Sequence, residues 1–229
     1  CISCGVGCVV PAGHGQGICC AVSAPNTAHV GAAVRSITSG VAADALTLGT
    51  LADTVDGGAG NDTITGTSGN NVITAGAGND VVTAGTGAEN ITGGAGDDII
   101  TGGAGLDNLE GGSGNDTFKI DAAYDTVTDL GGGSGTDSDI VVVTNVAILN
   151  ATDMIGFTAT SGTSNAGTAT FNLKAGGVRT LDLSAATGAG FFILKGNSGD
   201  DSITGTAGAD TINAGAGADI ILIGTAGHG

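Results

Sequence analysis

The sequence predicts an all-β fold built from repeated nine-residue units, and three observations support this prediction. Glycine supplies 46 of the 229 residues, against an ordinary share of about 7%. Apolar residues recur at a fixed place in consecutive units and mean hydropathy is positive, at +0.32, which argues against a disordered chain. Aromatic residues make up only 3% of the chain and Trp is absent, so we expect a thin core of Ile, Val and Leu.

The main block of repeats begins at Gly57 and runs without a gap to Lys119. Its seven units read GGAGNDTIT, GTSGNNVIT, AGAGNDVVT, AGTGAENIT, GGAGDDIIT, GGAGLDNLE and GGSGNDTFK. The fourth residue is always glycine, the eighth is always apolar, and the sixth is Asp in five of the seven units. Two looser units precede this block from Ser39, and a second block begins at Gly196. This regularity predicts one structural unit per nine residues.

Each unit divides into a strand and a turn. The last three residues, such as Thr63–Thr65, suit a short strand in which the eighth-position residue, here Ile64, faces inward. The first six residues suit a turn, because glycine permits positive φ and close backbone approach. One Asp per turn, together with carbonyls from two stacked turns, supplies the six to eight oxygens that calcium takes.

These units resemble the RTX (repeats-in-toxin) nonapeptide, Gly-Gly-x-Gly-x-Asp-x-apolar-x, over roughly residues 39–119 and 196–229. The resemblance implies a parallel β-roll, or β-solenoid, in which one coil is two units and Ca²⁺ lies between units n and n+2. It also implies type I secretion as an unfolded chain that folds outside the cell.

An 18-residue coil sorts the sixth-position residues into two columns. The first column contains only Asp, whereas the second also contains Asn and Glu, so we expect one intact calcium row and one weakened row. In the second block Asp201 pairs with Asp219, while Asp210 faces His228, a poor calcium ligand. The predicted side-chain ligands are Asp44, Asp62, Asp80, Asp98 and Asp116 in the first column, Asp53, Asn71, Glu89 and Asp107 in the second, and Asp201, Asp210 and Asp219 in the second block. The predicted turn glycines of the metal sites are Gly58, Gly60, Gly76, Gly78, Gly94 and Gly96.

The formal charge is −17, from 22 acidic and 5 basic residues. This charge argues against nucleic acid and against an anionic membrane surface as partners, and it fits cation binding. Carboxylates on coils about 4.8 Å apart repel by roughly 3 kcal/mol at an effective dielectric constant of about 20. Our hypothesis is that calcium removes this repulsion and folds the chain. The alternative is a solenoid held by its apolar ladder without metal.

We expect four segments: a Cys-containing start at 1–30, the main calcium roll at 31–119, a β-rich spacer at 120–195, and a second, truncated repeat block at 196–229. The spacer is expected to continue the solenoid, and a separate small β-domain is the alternative. The sequence contains no run of 18 apolar residues, so we expect no transmembrane helix. Zinc, disulfides, a lipid-modified Cys and a poorly ordered segment all stay open for Cys1, Cys4, Cys8, Cys19 and Cys20.

No hydrolase signature such as GxSxG or HExxH is present, so we expect no enzyme. The expected function is a calcium-binding structural module of a secreted or cell-surface bacterial protein of the surface-layer or adhesin kind. Its expected partners are calcium ions, with cell-surface polysaccharide or self-assembly as candidates. The alternatives are the calcium and secretion module of an RTX exoenzyme or toxin, and an ice-binding roll, which would need flat outward rows of Thr.

Overall fold

The computed structural model describes residues 2–3, 18–19, 27–29, 36–121, 124–130, 139–144, 147–154, 156–174 and 179–223. The side chains of the cysteines at the start of the chain, and of His228, lie outside this description. Within the described residues, the chain forms no helix that is long and apolar enough to cross a membrane.

The described residues form 26 strands. In chain order these are β1 (Ile2–Ser3), β2 (Ile18–Cys19), β3 (Thr27–His29), β4 (Ser36–Thr38), β5 (Ala45–Thr47), β6 (Thr54–Asp56), β7 (Thr63–Thr65), β8 (Val72–Ala77), β9 (Val81–Thr83), β10 (Thr86–Gly87), β11 (Asn90–Ala95), β12 (Ile99–Thr101), β13 (Ala104–Gly105), β14 (Asn108–Ser113), β15 (Thr117–Ile120), β16 (Asp125–Val127), β17 (Ile140–Val143), β18 (Ile148–Met154), β19 (Gly156–Thr158), β20 (Ser164–Asn165), β21 (Thr168–Leu173), β22 (Thr180–Asp182), β23 (Phe191–Asn197), β24 (Ser202–Thr204), β25 (Asp210–Gly215) and β26 (Ile220–Leu222).

Alternate strands of the repeats belong to two long parallel sheets. One has the order β1-β2-β4-β6-β8-β11-β14-β16-β18-β21-β23-β25, and the other has the order β20-β17-β15-β12-β9-β7-β5-β3. Ile64 pairs with Val82, and Val82 pairs with Ile100, so partners in the main block stand 18 residues apart. The chain is therefore an all-β parallel solenoid with two nonapeptides per coil, which confirms the predicted fold class.

The eighth-position residues form the core between the two sheets. Ile64, Val82, Ile100 and Phe118 stack along one sheet, and Ile91 in the facing sheet is equally buried, each with 0% of its surface exposed. Burial of each such side chain is worth about 1.5–3 kcal/mol. The core is narrow because a three-residue strand contributes a single inward residue, and a six-residue strand adds only a small one, such as Ala75 after Ile73 in β8.

The predicted strand length holds for only one of the two sheets in the main block. β7, β9 and β12 have three residues, whereas β8, β11 and β14 have six and continue into the turn. There Gly94 and Ala95 still pair with the residues 18 positions earlier. The prediction that the first six residues form only a turn is therefore wrong for these units, because stacked turns of equal length can also form a parallel ladder.

Parallel pairing runs from the repeats through the spacer to the second block, since β14, β16, β18, β21, β23 and β25 are consecutive in one sheet. The coils of the spacer are longer than 18 residues, because Phe118 pairs with Val141 and Ala169 pairs with Phe192. A four-stranded sheet, β19-β22-β24-β26, adds a further face there. Phe171 packs between Phe157 and Phe192 at ring-centroid distances of 5.7 and 6.1 Å and fills this wider core.

Candidate metal centre

The sixth residue of each unit sits at the end of the turn, directly before a strand, and is buried. Asp62, Asp80, Asp98 and Asp116 are each 1% exposed. One carboxylate oxygen, Oδ1, accepts the backbone N–H of the sixth residue one coil earlier. These bonds run from Asp44 to Asp62 at 2.7 Å, from Asp62 to Asp80 at 2.7 Å, from Asp80 to Asp98 at 2.8 Å and from Asp98 to Asp116 at 2.9 Å. The structure thus brings the predicted first column together as one continuous ladder.

The second carboxylate oxygen, Oδ2, has no hydrogen-bond donor in Asp62, Asp80 and Asp98, although it is fully buried. In Asp62 and Asp98 this oxygen lies close to the glycine that opens the same unit, Gly57 or Gly93, whereas Ala75 holds that place in the unit of Asp80. A Cβ built on Gly57 would lie 2.8 Å from Asp62 Oδ2 and would overlap the carbonyl oxygen of Ala75 from the next coil. At Gly57, carboxylate and carbonyl oxygens therefore converge on a space that a side chain there would occupy. An oxygen-lined space without a donor suits a hard cation.

The second column keeps the same position but not the same contacts. Asn71 Oδ1 accepts the Asp53 N–H at 2.9 Å, and Asn71 Nδ2 donates to the Gly69 carbonyl at 3.2 Å. Glu89 is 2% exposed, yet neither of its carboxylate oxygens accepts a hydrogen bond. The ladder resumes where the Glu89 N–H donates to Asp107 Oδ1 at 2.9 Å. This column is interrupted between Asn71 and Glu89 because the longer Glu side chain carries its oxygens past the amide.

The second block repeats the geometry of the first column once. The Asp201 N–H donates to Asp219 Oδ1 at 2.9 Å, and Asp201 is 1% exposed. Asp201 and Asp210 both accept hydrogen bonds within their own turns, Asp201 Oδ2 from the Asn197 N–H at 2.9 Å and Asp210 from the Thr206 N–H at 2.7 Å and Thr206 Oγ1 at 3.0 Å. Asp201 thus lies beside Asp219 as predicted, whereas the predicted partner of Asp210, His228, lies outside the described residues.

The six predicted turn glycines share one backbone feature, which is a φ between 88° and 127°. This is the region that residues with a Cβ rarely adopt. At Gly76, Gly78, Gly94 and Gly96 a Cβ would also overlap the backbone of the preceding coil. These glycines are thus required for the close stacking of turns, whatever their carbonyls bind. Those six are Gly58, Gly60, Gly76, Gly78, Gly94 and Gly96.

Sequence reasoning missed two further members of the acid columns. Asp125 extends the second column, because its Oδ1 accepts the Asp107 N–H at 3.2 Å and the residue is 0% exposed. Asp139 extends the first column, because its Oδ1 accepts the Asp116 N–H at 2.9 Å. The 18-residue spacing alone would have found Asp125. Asp139 follows Asp116 by 23 residues, so the fixed spacing could not reveal it.

A second ladder, which the sequence analysis also missed, runs along the exposed fifth position of the turns. Here the side-chain oxygen accepts the N–H of the next coil rather than the previous one. The Asn79 N–H donates to Asn61 Oδ1 at 3.0 Å, and the Asp97 N–H donates to Asn79 Oδ1 at 3.1 Å. Adjacent residues of one turn therefore tie it to the coils on both sides.

Burial raises the pKa of the stacked carboxyl groups. It raises the pKa of Asp62 to about 7. The hydrogen bond from the Asp44 amide lowers this pKa, whereas the charges of Asp80 and Asp44 raise it. Burial likewise raises the pKa of Asp98 to about 6 and that of Asp116 to about 7. For Glu89, burial followed by the nearby Asp107 carboxyl group raises the pKa to about 8. In the absence of a cation, these groups reduce the cost of burying charge by holding protons near neutral pH.

No group of three or more His, Cys, Asp or Glu side chains gathers into a metal cluster anywhere in the described residues. A cation between two coils would therefore be held by one or two carboxylates together with backbone carbonyls. That donor set consists only of oxygen, which is what calcium prefers, whereas zinc and copper sites rely on His and Cys. The residues present thus fit calcium.

The model of one protein family, the RTX calcium-binding nonapeptide repeat (four copies), matches residues 48–82, 83–118 and 193–227. These stretches cover the main block from its second looser unit onward and almost all of the second block. No curated protein matches the chain, and no solved structure matches it. Most of the spacer, which carries Asp125 and Asp139, lies outside the matched stretches.

Proposed function

Since the chain is an RTX-repeat protein whose nonapeptide repeats bind calcium ions, we propose that it serves a secreted or cell-surface bacterial protein as a structural module that folds when calcium binds. The observation that carries this proposal is the set of buried carboxylate oxygens without a donor, on Asp62, Asp80 and Asp98. A buried charged oxygen that lacks a partner costs several kcal/mol. A bound cation offsets that cost.

The residues that would hold calcium are the sixth-position side chains, with backbone carbonyls of the glycine turns as further donors. In the first column Oδ1 is already used by the amide of the preceding coil, so Oδ2 is the oxygen left for the metal. Calcium bound there supplies positive charge between carboxylates of successive coils. The second column offers fewer equivalent oxygens, because Asn71 is neutral and the Glu89 oxygens are displaced.

Folding is coupled to calcium in this proposal because the same carboxylates are unfavourable without it. They are stacked one coil apart, are almost fully buried and have raised pKa values. Stability of an ordinary domain is only about 5–15 kcal/mol, so several uncompensated carboxylates outweigh it. The apolar ladder and the backbone hydrogen bonds therefore keep the chain folded only when the charges of these carboxylates are neutralised.

Placement outside the cell is supported by the same dependence on calcium, since a module that folds with calcium gains from an environment rich in that ion. The net charge of −17 keeps the chain soluble and disfavours nucleic acid. Cell-surface polysaccharide and assembly with other copies are the partners that we propose for such a module. We propose no catalytic role.

Calcium titration of the purified chain tests the proposal. We expect calorimetric calcium uptake at several sites and a gain of far-UV circular dichroism typical of strands when calcium replaces chelator. Magnesium at equal concentration is the control, because its small octahedral shell disfavours such sites. An unchanged strand spectrum in chelator would show that folding does not need metal, and a chain that takes up no calcium would overturn the function itself.

A matched pair of triple variants locates the sites. Replacing Asp62, Asp80 and Asp98 by Asn removes three buried first-column charges. Replacing three exposed acids by Asn removes the same charge from the surface, at Asp97, Asp121 and Asp200. We expect the first variant to lose most of the calcium uptake of the main block, and the second to retain it. Equal effects would mean that general charge, rather than the stacked column, attracts the ion.

A further inference from the structure

The unit IDAAYDTVT at residues 120–128 has lost every glycine of the repeat and lies outside the matched stretches. It nevertheless keeps the sixth-position acid, Asp125, and the inward eighth-position residue, Val127, which is 0% exposed. β16 pairs in register with β14, so that Leu109 lies beside Val127 at the usual 18-residue interval. The acid of this unit therefore stands in the second column, directly after Asp107.

The contacts and burial of Asp107 and Asp125 resemble those of the first column. The earlier members of the second column resemble the first column less. The Asp107 N–H donates to Asp125 Oδ1 at 3.2 Å, which is the same contact that links Asp62 to Asp80. Asp107 is 2% exposed and Asp125 is 0% exposed. The Oδ2 atoms of both residues are buried without any hydrogen-bond partner. Two adjacent coils thus each present an uncompensated carboxylate oxygen to the same column.

We propose that Asp107 and Asp125 hold a further divalent cation, calcium, at the junction between the main repeat block and the spacer. This inference rests on the proposed calcium-binding function and extends it beyond the recognised repeats. In this unit, which lacks glycine, Tyr124 adopts a positive φ of 72°. A residue with a Cβ is strained in that region, so calcium fills this site after the sites of the first column.

The role of this site follows from its position. It ties the last coil of the main block to the first coil of the spacer, where the 18-residue period ends and the longer coils begin. A cation shared by Asp107 and Asp125 neutralises the two charges that would otherwise oppose stacking of these coils. Calcium bound at this site therefore also stabilises the first coil of the spacer.

The sequence supplies a built-in reporter for this one site. Tyr124 is the single tyrosine, Trp is absent, and Tyr124 directly precedes Asp125. Its side chain is 62% exposed, so the adjacent backbone rather than the ring shapes the site. Terbium(III), which takes the same oxygen donors as calcium, emits when a nearby tyrosine is excited. Emission excited through tyrosine therefore reports metal bound beside Tyr124.

The experiment loads the full chain with terbium and compares four proteins. We expect tyrosine-excited emission from the wild type, loss of at least about 80% of it in Asp125→Asn, and full emission in Asp121→Asn, which removes an exposed acid from the same turn. Tyr124→Phe should abolish the emission while calorimetry still finds the same calcium stoichiometry. Asn suits the fold at this position, because Asn71 occupies it in the same column. Circular dichroism in calcium verifies that each variant folds.

The possible failures are distinguishable. If the wild type binds calcium by calorimetry but gives no tyrosine-excited emission, or if Asp125→Asn emits as the wild type does, the site at Asp107 and Asp125 is overturned and the function of the repeats stands. If the wild type takes up neither calcium nor terbium, the proposed function fails as a whole. Calcium added to terbium-loaded wild type should quench the emission by displacement, a measurement that needs no variant.

Discussion

The backbone N–H of Asp62 donates a 2.7 Å hydrogen bond to Oδ1 of Asp80, one coil further along the chain. Asp62, Asp80 and Asp98 thus each use one oxygen to hold the preceding coil, and the other, buried and without a donor, is the oxygen that we propose for a cation. The two oxygens of one carboxylate have separate tasks. The first stabilises the solenoid with or without metal, whereas the second stabilises it only when charge is compensated.

Replacement of Asp80 by Asn keeps the first of these tasks and removes the second. Its effect on the free energy of unfolding should therefore have opposite signs in chelator and in calcium. The Asn oxygen can still accept the Asp62 N–H, and its Nδ2 can donate to the Gly78 carbonyl, as Asn71 does to Gly69. In chelator we expect the free energy of unfolding to rise by about 1–3 kcal/mol, because an uncompensated buried acceptor disappears. In saturating calcium we expect it to fall by a similar amount. The strand content in chelator, read by far-UV circular dichroism at a pH where the wild type is partly folded, and urea unfolding in saturating calcium measure the two changes.

Asp97→Asn is the control for that variant. It removes the same charge one coil further along the chain, but at an exposed fifth position where Asn79 already provides the same contact. We expect changes within about 0.5 kcal/mol in both conditions, as for ordinary surface substitutions. A loss of stability in chelator for Asp80→Asn, instead of a gain, would contradict the assignment of Oδ2 as the metal oxygen.

The stability of the metal-free chain should fall as pH rises. Burial raises the pKa values of Asp98, Asp62 and Glu89 to about 6, about 7 and about 8, from ordinary values of 3.8 for Asp and 4.5 for Glu. Between about pH 4 and pH 8 the folded chain therefore holds protons that the unfolded chain has released, and the free energy of unfolding decreases as pH increases through this window. The strand content of the chain in chelator, read by far-UV circular dichroism, should therefore be higher at pH 5 than at pH 8.

Calcium affinity should show the opposite pH dependence. The ion needs ionised carboxylates, so protons and calcium compete for the same oxygens. The apparent affinity should rise from about pH 6 to about pH 8, and calorimetry in buffers of different ionisation enthalpy should detect released protons. A metal-free chain that is more stable at pH 8 than at pH 5 would show that the buried carboxyl groups are not protonated in the folded state.

The turn glycines should differ in their tolerance of a methyl group according to local geometry. Gly96 and Gly208 both occupy the fourth position of their units, yet Gly96 has φ of 127° and a Cβ there would overlap the Gly78 carbonyl. At Gly208 the nearest atom would be Thr206 Oγ1 at 3.3 Å. Gly96→Ala should cost about 1–3 kcal/mol from the backbone conformation alone and more from the overlap. Gly208→Ala should be close to neutral, and equal thermal midpoints for the two variants would refute this distinction.

The sequence was sufficient for the repeat, the inward positions and the two acid columns, because each depends on a strict period. Nine residues per unit and 18 per coil place Ile64 beside Val82 and Asp62 beside Asp80 by counting alone. The same counting fails after Lys119, where coils lengthen and Asp139 follows Asp116 by 23 residues. A register set by insertions of variable length carries no periodic signal.

Two features of the turns were also beyond the sequence analysis. Fifth-position residues such as Asn61 vary in type, so their shared hydrogen bond to the next coil is visible only in coordinates. The extension of β11 through Gly94 and Ala95 contradicts strand propensity, since glycine is unfavourable in strands. It arises because turns of identical length stack directly, and the ladder of the neighbouring strand continues into them.

Glu89→Asp should strengthen the weaker column. A Cβ built on Gly87 would lie 2.5 Å from Glu89 Oε1, which shows that the longer side chain directs this oxygen toward the fourth residue of its unit, whereas Asp98 Oδ2 lies beside the first residue of its unit, Gly93. An Asp would bring Oδ1 back to the Asn71 N–H and would return Oδ2 to the position that it has in Asp98. We expect calcium affinity of the second column to rise roughly tenfold, or about 1.4 kcal/mol, in a calorimetric titration. Glu110→Asp is the matched control, because Glu110 is exposed on β14. An affinity that stays unchanged or falls in Glu89→Asp would mean that the length of the Glu side chain is suited to its site.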